Sequence, residues 1–247
     1  MPFTFSHPAA VLPLRLLPQK WTSLTGLVIG SIIPDFEKFL KMEAGNTYSH
    51  TWHGLLWFNL PLGILLSFLF HGVVRDPLLE NLPPVFKRKL LWARSFNWFS
   101  YFRRNSFVVL ASLLIGSVSH LCWDSLTHQE SLAIKLAPVL AETVKIGDYK
   151  IRLFKMLDLL SSVLGLLFII YVILQFPATK SQIRPTNTFG IYWLLVLVTT
   201  FLIIICRILF GLDLTEPWSL LFTSISAGLI GIINASLLVK HISRLLS

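Results

Sequence analysis

Charged residues are scarce in this chain, and their scarcity excludes an ordinary soluble domain. Asp, Glu, Lys and Arg make up 13% of the 247 residues, whereas 54% are hydrophobic; a typical soluble domain is about one quarter charged. The hydrophobic residues also fall in runs of roughly 20, the length a helix needs to cross a hydrocarbon layer about 30 Å thick. No alternating polar pattern indicates a β-barrel, so the sequence predicts membrane-spanning helices.

Cysteine is nearly absent. The chain has two cysteines, Cys122 and Cys206, and both lie inside apolar runs, where we expect small core residues. Two such residues exclude a disulfide framework and a thiolate metal site. The sequence also lacks an internal repeat, a glycine-rich phosphate loop, a Rossmann fingerprint and a Gly-x-Ser-x-Gly elbow, which excludes several enzyme classes. No removable signal peptide is expected at the N-terminus.

The apolar runs predict an all-α, polytopic membrane helical bundle with about five transmembrane helices and one domain over residues 1–247. An N-terminal segment covers residues 1–52, three spans lie within 53–176 and two further spans within 189–239. A shorter run, Trp21–Ile33, ends at Pro34 and predicts a buried or re-entrant helix, with a full sixth span as the alternative. The five spans are His53–Val74, Phe107–Trp123, Met156–Phe176, Phe189–Phe210 and Trp218–Val239.

The basic residues favour one orientation in the membrane. With a net charge of +9, the chain carries its Lys and Arg in short stretches between apolar runs, which indicates an anionic membrane surface rather than nucleic acid. Eleven basic residues would lie inside and nine outside, so the connection between the first two spans is expected to be cytoplasmic. That connection carries Arg75, Lys87, Arg88, Lys89, Arg94, Arg103 and Arg104.

Histidines are concentrated in three short polar motifs. Five of the seven belong to Ser6-His7-Pro8, to the segment from Tyr48 to Gly54, and to the segment from Ser119 to His128; a fourth motif, Gly30 to Asp35, supplies a carboxylate. On a helix, residues three or four apart share a face, which pairs His50 with His53 and His120 with Asp124.

The helical hairpin formed by the first two predicted spans should bring these motifs together. The first predicted span begins and the second ends beside them, so we expect the motifs to meet on the outer face. Neutral imidazole and carboxylate ligands suit Zn, Mn or Fe. Simpler roles stay open: His7 could pack structurally, and Asp35 or Asp124 could cap a helix. His71 and His241 are expected to be interfacial anchors.

The same motifs resemble those of a known family of uncharacterised bacterial membrane proteins, the domain of unknown function 4184 family. The resemblance rests on Met1 through Ala10, Ile29 to Asp35, Ser49-His50, Leu60 to Gly63, Gly116 to His128 and Ser161 to Gly165, and covers roughly the first 170 residues. Where many relatives carry a Gln-His pair near Lys155, this chain has Asp158-Leu159.

A more distant similarity concerns only the order of the motifs. His, Pro-Asp, His and then His-x-x-x-Asp is similar to membrane-bound metal-dependent hydrolases and, more faintly, to zinc-dependent phospholipase C. This resemblance implies a metallohydrolase, with His7, Asp35, His50, His120 and Asp124 at the matching ligand positions.

The leading hypothesis is therefore an integral membrane metal-dependent hydrolase that acts on a phosphoester or lipid-like substrate at the membrane interface. The five matching residues would hold a divalent metal, with zinc preferred and manganese or iron as alternatives, while His53 or His128 would carry protons. Ser49, Ser119 or Thr127 could orient the imidazoles. The rivals are a non-enzymatic protein with a structural metal site and a transporter; a haem bundle would leave the carboxylates unexplained. Membrane lipids are the expected partners, and the oligomeric state stays open.

Overall fold

The computed structural model describes residues 3–127, 132–179 and 187–245, and nearly all of them are helical. Five helices in these ranges are long and apolar enough to cross a membrane, which confirms the predicted all-α membrane architecture with five spans. Their apolar stretches are Trp52–Glu80, Trp98–Leu126, Leu153–Gln175, Phe189–Leu209 and Pro217–His241. We refer to the helices that contain them as the first to the fifth long helix.

The first two long helices extend further than their apolar cores suggested. The first begins behind Thr51, whose hydroxyl accepts the backbone N–H of Gly54 at 2.9 Å as a helix cap. It contains two wider, π-helical turns, Leu55–Asn59 and Phe70–Val74. The second, Trp98–Thr127, is interrupted at Asn105, whose backbone is not helical. The apolar run starts only at Phe107 because the polar residues Arg103, Arg104 and Asn105 precede it within the same helix.

The longer helices change the predicted basic connection. Arg75 was expected in the loop, but it lies buried within the first long helix. Its guanidinium donates to the Phe96 carbonyl at 2.6 Å and to the Arg94 carbonyl at 3.3 Å, and it pairs with Asp76. The Arg75 side chain therefore attaches the connection between the first two long helices to the first of them, and it does not face solvent.

A series of short helices forms the N-terminal segment. They are the 3-10 turns Thr4–Ser6, Leu12–Leu16 and Ile33–Asp35 and the α-helices Pro8–Val11, Leu24–Ile32 and Phe36–Lys41. Leu24–Ile32 has nine residues and buries Gly26, Leu27, Ile29, Gly30 and Ser31. This helix is the short helix, buried or re-entrant, that was predicted within Trp21–Ile33, and it is not among the five candidate spans in the described residues.

A β-hairpin follows the second long helix, together with the short helix Leu132–Leu136 and the 3-10 turn Pro138–Ala141. Its antiparallel strands are β1, Thr143–Ile146, and β2, Tyr149–Arg152. Gly147 at the turn has a φ of +60°, which glycine adopts without steric cost. The purely helical prediction missed this hairpin.

Contacts divide the chain into two compact units. Unit 1 comprises Met1–Asp35, Tyr48–Ile64 and Phe102–Val172; unit 2 comprises Phe36–Thr47, Leu65–Tyr101 and Ile173–Ser247. Unit 1 buries apolar side chains such as Val11, Leu27, Ile33, Val109 and Leu113. The prediction of a single domain over residues 1–247 stays a prediction.

The fourth and fifth long helices pack together inside unit 2. Tyr192, Val196, Ala235 and Val239 form the core of this contact. The Tyr192 hydroxyl lies 3.2 Å from the Ser236 hydroxyl, so the polar end of this buried ring has a partner.

The two cysteines depart from expectation. Cys122 and Cys206 were predicted to be small core residues, yet both are exposed on their helices. On a helix that faces lipid, an exposed position is as apolar as the core, so an apolar run alone does not separate the two.

Candidate metal centre

Five predicted ligands come from four separate parts of unit 1. His7 joins the turn Thr4–Ser6 to the helix Pro8–Val11, and Asp35 ends the turn that follows Leu24–Ile32. His50 precedes the first long helix, while His120 and Asp124 are one turn apart near the end of the second.

Two glycines bring the helix Leu24–Ile32 against the second long helix. A Cβ atom at Gly116 would lie 2.5 Å from the Leu27 carbonyl oxygen and 2.6 Å from the Ser31 nitrogen. A Cβ at Gly30 would overlap the Leu113 carbonyl oxygen. Only glycine at both positions permits this approach of the two backbones.

The close approach orients His120. Its Nδ1 lies 2.7 Å from the Ser31 carbonyl oxygen, which can only accept a hydrogen bond, so Nδ1 carries the proton. In the neutral ring, Nε2 then presents a lone pair. This atom lies 3.4 Å from Asp124 Oδ2 and 3.8 Å from Asp35 Oδ1. A carbonyl that fixes the tautomer in this way is the usual partner of a metal-binding histidine.

Thr4 orients Asp35. The Thr4 hydroxyl donates a hydrogen bond of 2.5 Å to Asp35 Oδ2, and both residues are buried. The other carboxylate oxygen, Oδ1, lies 3.8 Å from Nε2 of His50 and of His120. One oxygen of Asp35 is therefore held by the protein while the second faces the imidazoles.

His50 completes this side of the cluster. Its Nε2 lies 3.2 Å from Asp124 Oδ2, and its Nδ1 lies 3.2 Å from the Ser49 hydroxyl. The Asn59 amide, in the wide turn of the first long helix, donates to the Ser49 carbonyl at 2.9 Å. The backbone that carries His50 is thus attached to the first long helix.

His7 lies against His120 with the two rings stacked, their centroids 3.8 Å apart. Burial, and secondly the neighbouring His120 ring, lower the pKa of His7 to about 3, so the imidazole is neutral at physiological pH. Its Nε2 is 3.6 Å from Asp124 Oδ1. Among the described residues, neither ring nitrogen of His7 has a hydrogen-bond partner.

The geometry suits a cation. Donor atoms of His7, Asp35 and His120 lie within 4.8 Å of one another, as do those of His50, His120 and Asp124. Two carboxylates and the Nε2 lone pair of His120 surround a common region, and that Nε2 has no hydrogen-bond partner within the described part of the chain. Such a group of acceptors is stabilised by a positive ion between them, and His and Asp ligands fit a divalent metal. The cluster could therefore hold a metal ion, whose identity the ligands leave open.

The other predicted site residues have different positions. The His53 side chain is exposed and belongs to neither group of donors. His128 lies outside the described residues, as does the side chain of Thr127. Ser119 is half-buried.

Sequence reasoning missed three supporting residues. Asn59 is a lone amide in an apolar run, and Thr4 lies three residues before His7; both were visible in the sequence as polar exceptions. Ser31 contributes its backbone carbonyl, and a side-chain pattern carries no signal for such a contact.

Comparison with known proteins gives a family without an activity. The domain of unknown function DUF4184 matches residues 1–241, so the match extends over the last two long helices as well as the motifs. No curated protein and no solved structure matches the chain. The distant similarity to metal-dependent hydrolases consequently stays a prediction. Since the match covers nearly the whole chain, the protein belongs to the DUF4184 family of domains of unknown function.

Proposed function

We propose that this protein is an integral membrane metal-dependent hydrolase that acts on a phosphoester or another lipid-like substrate at the membrane interface. The observation that carries the proposal is the group of three imidazoles and two carboxylates in unit 1. Zinc is the preferred ion, with manganese and iron as alternatives, because imidazole and carboxylate suit all three metals and a zinc site without thiolate is usual for catalytic zinc.

Each residue has a defined part in this proposal. Asp35 and Asp124 supply negative charge, and the Ser31 carbonyl and the Thr4 hydroxyl fix the orientation of His120 and Asp35. A divalent ion held here would polarise a phosphoryl or carbonyl oxygen and would lower the pKa of a bound water molecule towards neutral pH. His53 and His128 remain the proposed proton carriers.

The unequal burial of the ligands supports an enzyme. The His50 side chain is 19% exposed, whereas those of His7, Asp35, His120 and Asp124 are between 0% and 5% exposed. The cluster therefore lies nearest the protein surface at His50. A catalytic metal needs such a side, where water or substrate can take a coordination position.

The position along the helices supports a substrate at the membrane surface. Asp124 lies three residues before the second long helix ends at Thr127, and His50 lies two residues before the first begins at Trp52. Ends of spanning helices lie near headgroups, where phosphoesters are found. The outer face of a bacterial inner membrane is the proposed side.

The first experiment measures metal content. The protein is purified in detergent, and bound metals are quantified by elemental mass spectrometry in the wild type and in the double variant His120→Ala with Asp124→Ala. His241→Ala, which changes an exposed histidine of unit 2, is the matched control. We expect near-stoichiometric metal in the wild type and the control, and loss in the double variant.

Hydrolysis is then tested with the metal present. The wild type is assayed on phosphoester and phospholipid substrates, with the double variant as the negative control. Activity that depends on the metal and disappears in the double variant supports the proposal. A folded wild type that binds no added zinc, manganese or iron refutes it.

A structural metal site is the second candidate, because four of the five ligands are almost completely buried. Cobalt(II) distinguishes the two functions. In a site closed by protein ligands, added phosphate should leave the visible spectrum of bound cobalt unchanged. In a catalytic site with an exchangeable position, phosphate should shift it.

A further inference from the structure

The β-hairpin lies at the same end of the second long helix as the metal cluster. It belongs to unit 1 and connects the second long helix, which ends at Thr127, with the third, which begins at Leu153. The Leu153 N–H donates to the Glu142 carbonyl at 2.8 Å, so the base of the hairpin is attached to the first turn of the third long helix. Since both flanking helices can span a membrane, the hairpin lies at a membrane surface.

One face of the hairpin carries three positive charges. Lys145 is directly opposite Lys150 across the strands, and Arg152 follows Lys150 at the two-residue spacing that returns to the same face. Like charges directly opposite each other destabilise a strand pair. Among the described residues, none of the three cations forms an ion pair or a hydrogen bond, and all three are exposed. The charges therefore contribute nothing favourable to folding of the hairpin.

Exposed apolar side chains lie on the other face of the hairpin and in the segment before it. Val144 is opposite Ile151 on the other face of the hairpin, and Val144 is 38% exposed. Just before the hairpin, Leu136 is 77% exposed and Val139 is 51% exposed. Exposed apolar residues beside unpaired Lys and Arg are typical of segments that lie in the headgroup region of an anionic bilayer.

We propose that the hairpin binds anionic phospholipid headgroups through Lys145, Lys150 and Arg152, in the leaflet nearest the metal cluster. The three cations match lipid phosphates in charge, and Leu136, Val139 and Val144 match the apolar layer beneath them. The binding would be sensitive to salt, because screening shortens the range of exposed charges from about 10 Å at 0.1 M salt to about 3 Å at 1 M. This inference does not depend on the proposed hydrolase activity.

A fluorescent label on the hairpin tests the proposal. An environment-sensitive fluorophore is attached to Thr143→Cys after Cys122→Ser and Cys206→Ser remove the two exposed native thiols. The protein is placed in nanodiscs of phosphatidylcholine alone or of phosphatidylcholine with phosphatidylglycerol, and collisional quenching by acrylamide, which is uncharged and therefore not repelled by the anionic lipid, is measured at low and at high salt. We expect about threefold less quenching with the anionic lipid at low salt, and loss of this difference at high salt.

Two variants assign the effect to charge. The neutral variant combines Lys145→Gln, Lys150→Gln and Arg152→Gln, and the matched control combines Lys145→Arg, Lys150→Arg and Arg152→Lys. The difference between lipids should disappear in the neutral variant and persist in the control.

Two results would overturn the proposal. One is equal quenching of the wild-type hairpin in both lipids, which does not depend on any variant folding correctly. The other is a neutral variant that keeps the full lipid difference. The quenching experiment measures neither metal content nor hydrolysis, so neither result bears on the proposed enzyme.

Discussion

His7 should destabilise the metal-free protein that it serves. The ring is 1% exposed, and neither nitrogen has a hydrogen-bond partner among the described residues. A buried donor or acceptor without a partner costs about 1–3 kcal/mol. The stacking on His120 offsets part of this cost. We expect a net cost of about 1–2 kcal/mol in the metal-free state.

Replacement by leucine keeps a similar volume and removes both polar atoms. For a chain of this length, about 1 kcal/mol shifts the melting temperature by about 2–4 °C, so His7→Leu should raise the melting temperature of the metal-stripped protein by about 2–8 °C. Added metal should raise the melting temperature of the wild type much more than that of His7→Leu. At a hundredfold excess over its dissociation constant, a ligand stabilises by about 2.7 kcal/mol, and the wild type should gain about 5–10 °C that the variant largely lacks.

The assay is thermal unfolding in detergent, followed by tryptophan fluorescence, after chelation and again after addition of zinc or manganese. His241→Leu is the control, because this exposed histidine should change neither melting temperature. A variant that melts lower than the wild type without metal, and still gains the full increment with metal, would show that His7 is a packing residue rather than a ligand.

Three further changes test the surroundings of the cluster. Gly116→Ala should lower stability by about 1–3 kcal/mol, measured by thermal melts. It should also weaken metal binding, measured by chelator competition, because it displaces the Ser31 carbonyl. Gly228→Ala, whose Cβ has open space, should do neither. Thr4→Val should reduce metal affinity about tenfold in the same competition assay while Thr4→Ser retains it, because the hydroxyl orients the carboxylate; equal affinities would exclude that role. Arg75→Met, in unit 2, should lower the melting temperature because two carbonyls lose their donor. Metal stoichiometry, measured by elemental analysis, should not change. A loss of metal would contradict an assignment of the site to unit 1 alone.

The sequence by itself determined the membrane architecture. Runs of roughly 20 apolar residues have one stable arrangement in lipid, because backbone groups must be satisfied within each helix. It also identified the candidate ligands, since His and Asp among apolar residues are costly and stand out against the background. The sequence did not determine the helix ends, because a hydropathy pattern shows neither the backbone interruption at Asn105 nor the burial of Arg75 within a helix.

Only the tertiary structure decided which polar residues meet. His50 and His53 share a face in an ideal helix, but the first long helix begins between them at Trp52, so His50 joins the cluster and His53 is exposed. The Ser31 carbonyl reaches His120 because two glycines permit a close approach of the helices.

The hairpin was present in the sequence as a local alternation around Gly147-Asp148 and was hidden by the dominant helical signal. Local composition thus specifies which secondary structure each segment can form. The choice of partners depends on how helices distant in sequence pack together, and on backbone atoms that every residue shares.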